Sequence, residues 1–210
     1  MIRRQALLLG VAAFLAPLVP ALALDRALTP QEQQLISEIN AHNSAIRTMA
    51  GRFLQIDTNG GRTEGTFFLE RPDKVAFRYA PPSREEIVSQ GRGFYVLNRR
   101  DETYYAYPQD TIPLRQFLGS EINLLNANVV NVTTSDGYIS ITVIDQTVAG
   151  TVQVSLVFDV DTKELAQWSL VEPSGSELTF SLYDVQQGMD IPRAFFSIPA
   201  TYKGLDPSTR

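Results

Sequence analysis

Apolar and polar residues alternate along most of this chain in short runs separated by turn residues. The runs are 51–57 (GRFLQID), 64–71, 74–79 (KVAFRY), 86–90, 93–98 (GFYVLN) and 103–108, then 128–134, 138–145, 151–159, 164–172 and 177–185. Asn59-Gly60-Gly61, Pro81-Pro82, Asp136-Gly137 and Pro173-Ser174-Gly175 punctuate them. A period of two puts successive side chains on opposite faces, so each run predicts a strand with one apolar face. Short connections and alternating rather than continuous apolar runs predict antiparallel pairing.

Two stretches break this period. Thr29-Pro30-Gln31-Glu32 combines an N-cap threonine, a proline at the first helical position and a glutamate three residues after the cap, which is a capping box. Leu35, Ile39, His42, Ile46 and Met49 then recur at helical spacing, and Gly51 follows as a stop, so the pattern predicts one amphipathic helix over about residues 30–50. Between the two series of strands, Thr111 can cap, Pro113 suits a helix start, and Leu114, Phe117 and Leu118 share a face before Gly119. This predicts a short apolar helix, with a further one at Ile122 to Leu125. About eleven strands are too many for a flat open sheet, which curls. The expected fold class is therefore mainly β: an incomplete, unclosed antiparallel β-barrel of about eleven strands, with its apolar concave side covered by an α-helical lid or plug.

Composition then restricts the setting. Residues 1–23 have basic Arg3 and Arg4, an apolar run broken by Pro17 and Pro20, and the small-x-small pattern Ala21-Leu22-Ala23. They read as a cleaved export signal, with residues 24–210 as a single domain in the periplasm. The two arginines leave open the general secretory and the twin-arginine routes. Removing the signal takes two of the 18 basic residues and none of the 23 acidic ones, so the charge falls from −5 to −7. Such a surface argues against nucleic acid, which demands clustered basic charge. With no cysteine, the mature chain has neither disulfides nor an attachment point for its own lipid anchor.

Catalytic machinery is scarce. One histidine and no cysteine exclude Cys/His catalysis and multi-histidine metal sites, and no cofactor-binding fingerprint occurs. His42 reads as a packed or helix-edge residue. Carboxylates at Glu85 and Glu86, Asp101 and Glu102, or Asp159 and Asp161 could in principle serve a hydrolase, but all fall in turns or at strand ends.

The inner face carries an anomaly. In residues 67–79, on either side of the turn pair Pro72-Asp73, the odd positions hold Phe67, Leu69, Arg71, Val75, Phe77 and Tyr79, while Phe68, Glu70, Lys74, Ala76 and Arg78 alternate with them. The odd set is either a filled core or the wall of a ligand cavity. An arginine in that row needs a partner: it snorkels to water or donates its fan of N–H groups to the exposed carbonyls at a helix end, holding a movable helix over the mouth.

Residues 65–91 (GTFFLERPDKVAFRYAPPSREEIVSQG) resemble the periplasmic outer-membrane lipoprotein carriers, the LolA family, in the order glycine, alternating apolar residues, Arg-Pro, aromatic-x-Tyr, proline and a valine-containing strand ending near glycine. The helix before MAGRFLQ, with Phe53 and Gln55, the strand FYVLN and the closing AFFSIP extend the likeness over the mature chain. Val75 stands where the family commonly has an aromatic residue, and Gln90 replaces a frequent aspartate. The resemblance implies a cavity for acyl chains, a lid latched by Arg71, and no catalysis, metal or cofactor. Leu35, Ile39, Ile46, Met49, Phe53, Phe67, Leu69, Val75, Phe77, Tyr79, Leu114, Phe117 and Leu118 are the expected lipid-contacting residues. It further implies a monomer that takes acylated lipoproteins from an inner-membrane releasing transporter to an outer-membrane lipoprotein receptor. A LolA-like carrier or sensor of free lipid or glycolipid, and a carboxylate-dependent hydrolase, are the alternatives.

Overall fold

In the computed structural model of the chain, the structure describes residues 27–109, 112, 115–147 and 150–209. The expected signal, Thr111, Pro113 and Leu114 lie outside them. Helix α1, Pro30–Ala45, begins as its sequence dictates. The Glu32 N–H donates to Thr29 Oγ1 at 3.3 Å, and the Thr29 N–H donates back to Glu32 Oε2 at 2.8 Å.

The helix ends five residues earlier than the spacing predicts, because Ile46 turns extended and the chain enters a strand. Met49 therefore sits opposite Leu69 in a β-ladder rather than on the helix. Gly51 is not a helix stop either: a Cβ there would come within 2.9 Å of the Phe67 ring and 3.0 Å of the Tyr183 carbonyl oxygen, so the position serves close approach within the sheet. The buried face of α1 is Ile36, Ile39 and Asn43. Leu35 packs at its margin, and His42 is half-buried.

Twelve strands follow among the described residues. They are β1 (Thr48–Asp57), β2 (Arg62–Glu70), β3 (Lys74–Tyr79), β4 (Glu85–Gln90), β5 (Gly93–Asn98), β6 (Thr103–Pro108), β7 (Asn128–Ser135), β8 (Tyr138–Thr147), β9 (Gly150–Asp159), β10 (Leu165–Val171), β11 (Glu177–Gln187) and β12 (Lys203–Leu205). They form one sheet in the order β12-β6-β5-β4-β3-β2-β1-β11-β10-β9-β8-β7. The two meanders meet where β1 pairs with β11, and β7 and β12 remain unpaired edges, so the sheet is unclosed. Every pairing is antiparallel except that of β12 with β6. The sequence pattern accounts for the first eleven strands; β12 is too short for a period to register.

Among the described residues of the expected second helix, Arg115–Leu118 form a 3-10 turn rather than an α-helix, and another 3-10 turn follows at Leu124–Asn126. On the concave side, Ile36 and Ile39 of α1 pack with Phe117, Ile122 and Leu124 against Ile139, Ile141, Val143, Val152, Val154, Leu156 and Phe158. Alternation puts Ala76 on the convex side, yet it is fully buried there, along with Val88 and Leu97, beneath Ile191 and Phe196 of the C-terminal segment. Period two distinguishes the faces of a strand but does not reveal that a distant segment will cover one of them.

Candidate functional site: a lidded concave wall

Arg71 follows the last residue of β2 and is buried, with 8% of its surface exposed. Its Nε donates to the carbonyl oxygen of Phe117 at 3.0 Å and its Nη1 to that of Ile46 at 2.6 Å. Ile46 caps the C-terminal end of α1, where carbonyls lack helical partners, and Phe117 lies in the 3-10 turn. The Arg71 backbone N–H also donates to the Arg47 carbonyl oxygen at 2.8 Å. One guanidinium thus joins the barrel to both covering elements. Burial, assisted by the nearby Arg47 charge, lowers its pKa to about 10, so it still carries its proton near neutrality.

Other bonds tie the covering elements together. Asn40 Oδ1 accepts from the Leu124 N–H at 3.0 Å, and Ser44 Oγ accepts from the Ile122 N–H at 2.8 Å. Asn43 Nδ2 donates to the Lys163 carbonyl oxygen at 2.8 Å, fastening α1 to the β9–β10 connection. The 3-10 turn is held to the barrel by the Asp73 N–H donating to the Leu118 carbonyl oxygen at 2.7 Å, and by the Arg115–Asp145 ion pair at 2.8 Å. That ion pair borders a cleft of about 380 Å³ lined also by Asn126, Asn128, Val143 and Val154. Val143 and Val154 belong to the concave core, so the cleft runs under the edge of the lid.

The sequence-predicted wall divides in two. Leu69 and Val75 pack with Leu118, with Met49, Phe77 and Ile112 alongside. Phe53, Phe67 and Tyr79 form a separate aromatic cluster with Phe180. Phe53 lies edge-on to Phe77 at 5.3 Å and to Tyr79 at 5.0 Å. Ile39 and Phe117 belong instead to the aliphatic cluster beneath α1, with Leu35 at its border. Phe117 and Leu118, adjacent in sequence, therefore cap different parts of the wall.

Sequence reading missed Ile36, Trp168, Phe180 and the Arg115–Asp145 pair. Trp168 and Phe180 sit on inward alternation positions of β10 and β11 and stack at 4.1 Å, so the period of those strands could have found them. The ion pair joins residues remote in sequence and left no local signal.

One carboxylate of each acidic pair has a structural partner. Glu86 is ion-paired with Arg78 at 2.9 Å, and Asp101 accepts from Asn98 at 2.7 Å. Asp159 holds the β9–β10 turn, and hydrogen bonds from the Thr162 and Asp161 N–H groups keep its carboxyl below the usual range. Among the described residues no group of three or more His, Asp or Glu is placed to hold a metal ion, and no helix is long and apolar enough to cross a membrane.

A curled, unclosed sheet whose apolar concave face is covered by a helix and 3-10 turns defines a lid-covered open barrel. The chain belongs to the outer membrane lipoprotein carrier protein family, LolA, whose profile matches residues 44–199. The family is one of periplasmic carriers of lipoprotein cargo rather than of enzymes. No curated protein sequence matches the chain significantly.

Among solved structures, an uncharacterized conserved protein from Thermus thermophilus is similar at 6% identity and a TM-score of 0.51, over 83% of this chain and 98% of that one. A DUF1329 family protein from Desulfovibrio piger is similar at 7% identity and a TM-score of 0.50, over 78% and 95%. A LolA superfamily protein from Nitrosomonas europaea aligns at 11% identity and a TM-score of 0.42, over 78% and 97%. At such identities the likeness to the first two concerns the fold alone.

Proposed function

We propose that this protein, after loss of residues 1–23, is a periplasmic shuttle. It takes the acyl chains of lipoproteins from a releasing transporter at the inner membrane, holds them against the concave wall and delivers them to a receptor at the outer membrane. The supporting observation is the pair of bonds from Arg71 to the Ile46 and Phe117 carbonyl oxygens.

Acyl chains in water are disfavoured by about 0.8 kcal/mol per methylene, so a carrier must offer apolar surface. It must also surrender the load. Opening the lid breaks the Arg71 bonds, each worth about 0.5–3 kcal/mol, and delivery restores them. Ligand and latch compete for the same covering elements, which keeps binding strong enough to extract and weak enough to release.

Arg71→Leu removes the donors and favours the open, loaded form. The expected result is a protein that co-purifies with acylated lipoprotein, identified by mass spectrometry, and that transfers it poorly to receptor-bearing vesicles. Normal delivery by this variant would overturn the latch. Free lipid or glycolipid as the sole bound species in the wild type would replace the lipoprotein cargo.

A further inference from the structure

One polar group on the concave wall takes no part in the lid. Tyr79 Oη donates to Gln55 Oε1 at 2.6 Å, and burial drives the phenol's pKa well above its usual value, with the Glu85 charge adding to the shift. Gln55 is the cross-strand partner of Phe180, and Phe180 is that of Trp168. The three form one row across β1, β11 and β10, with the Trp168 and Phe180 rings stacked at an interplanar angle of 13°. Tyr79 reaches Gln55 across Gly65, the cross-strand partner of both Phe53 and Tyr79. A Cβ at Gly65 would lie 2.5 Å from the Phe53 ring and 2.2 Å from the Arg78 carbonyl oxygen, so no side chain can fill the space between.

This row lies at the end of the barrel away from the latch. Thr48 pairs with Glu70, next to Arg71, and Gln55 lies seven residues further along β1, roughly 23 Å at about 3.3 Å per residue.

Its hydrogen-bonding capacity is incomplete. The Gln55 oxygen is engaged, but the Gln55 amide nitrogen and the Trp168 indole nitrogen donate to no described residue. Neither is among the buried atoms left without a partner, a group whose one described member is His42 Nε2. Both donors therefore keep some contact with solvent at the aromatic wall. An acyl chain of pure hydrocarbon would cover them without satisfying them, which is costly. A carbonyl at the head of the chain would accept from them, and the row has no charged side chain to call for an ionic group.

We propose that Gln55 and Trp168 form a station that binds the ester or amide carbonyl of an acylated ligand, with Tyr79 fixing the Gln55 amide so that its nitrogen faces the ligand. This inference rests on the carrier reading. It makes the barrel selective for acyl groups over plain hydrocarbon, since a site built with donors rejects a ligand that leaves them unpaired.

Trp168 is the single tryptophan of the chain, so its emission reports on the station directly. The wild type, Gln55→Leu and Gln55→Met are titrated with methyl laurate and with dodecane, and dissociation constants are read from the tryptophan spectrum. The wild type is expected to prefer the ester. Both variants are expected to lose about tenfold in affinity for methyl laurate, the scale of one or two lost hydrogen bonds, while dodecane, which no longer covers an unpaired Gln55 donor, binds at least as tightly as it does to the wild type and shows that the wall is intact. Unchanged ester affinity in the variants, or an equal loss for both ligands, overturns the station and leaves the carrier reading standing. A wild type that binds neither ligand overturns the carrier reading, and the station with it.

Discussion

The two halves of the concave wall are built from different chemistry. Across β7 to β10 the wall is mainly aliphatic, with Ile139, Ile141, Val143, Val152, Val154 and Leu156 locked against Ile36 and Ile39 of α1. Across β1, β2, β3 and β11 it is aromatic. There the rings of Phe53, Phe67, Phe77, Tyr79 and Phe180 meet one another, and among the described residues the cluster contains none of α1 or of the 3-10 turns. Branched aliphatic side chains interlock with a helix ridge and separate at a high cost. Flat rings can exchange ring contacts for contacts with an acyl chain at little net loss, since both are dispersion and area. Under the proposed function the aliphatic half is the seat of the lid and the aromatic half the receiving surface, and Arg71 fastens both covering elements to the barrel.

The largest expected effect breaks the seat. Ile39 is fully buried, and Ile39→Ala leaves a cavity between α1 and the sheet. Such truncations cost about 2–5 kcal/mol, so the denaturant midpoint should fall steeply in equilibrium unfolding. A loss below about 1 kcal/mol would show that α1 is loosely seated, and the contrast between the halves would fail.

How far this division could be read from the chain depended on the range of each signal. The capping box at Thr29 and Glu32 is local, and it formed as written. The end of the helix was misplaced because Ile46 and Met49 continue its spacing, while pairing of Thr48 to Gly51 with β2 overrides that spacing. The odd row from Phe67 to Tyr79 was legible by period two, and so was Arg71's need for acceptors. Which acceptors it finds was not legible: Ile46 and Phe117 lie 25 and 46 residues from it. The burial of Ala76 under Phe196 is equally non-local. Local propensity wrote the elements, and packing between distant segments decided which of them form the lid.

A subtler change acts on the receiving half. Phe77 lies 5.3 Å from the Phe53 ring, 6.1 Å from that of Phe67 and 5.8 Å from that of Phe180, at the centre of the aromatic wall. Phe77→Leu keeps the site apolar at similar volume, so unfolding should lose less than about 1.5 kcal/mol. Acyl-chain binding should change by a larger fraction than stability does, measured by displacement of a fluorescent fatty acid from the purified protein. An unaltered dissociation constant would mean that these rings form only a filled core.

The smallest effect is expected at the edge of the lid. The Arg115–Asp145 pair joins the 3-10 turn to β8 at 2.8 Å, with side chains 41% and 26% exposed. At that exposure such a pair is worth about 0.2–1 kcal/mol and is screened by salt. Asp145→Asn removes the charge while keeping the shape, so global stability should hardly move. The rate of ligand uptake through the adjoining cleft should instead rise at low ionic strength, by up to about fivefold if the whole of that energy opposes opening. In molar salt the wild type and the variant should take up ligand at the same rate, because screening has already weakened the pair. Stopped-flow mixing with a fluorescent acyl ligand at both ionic strengths measures this. A rate gap that persists at high salt would assign the effect to the shape of the cleft rather than to the ion pair, and equal rates at low salt would leave Arg71 and the Asp73 N–H as the fastenings of that turn.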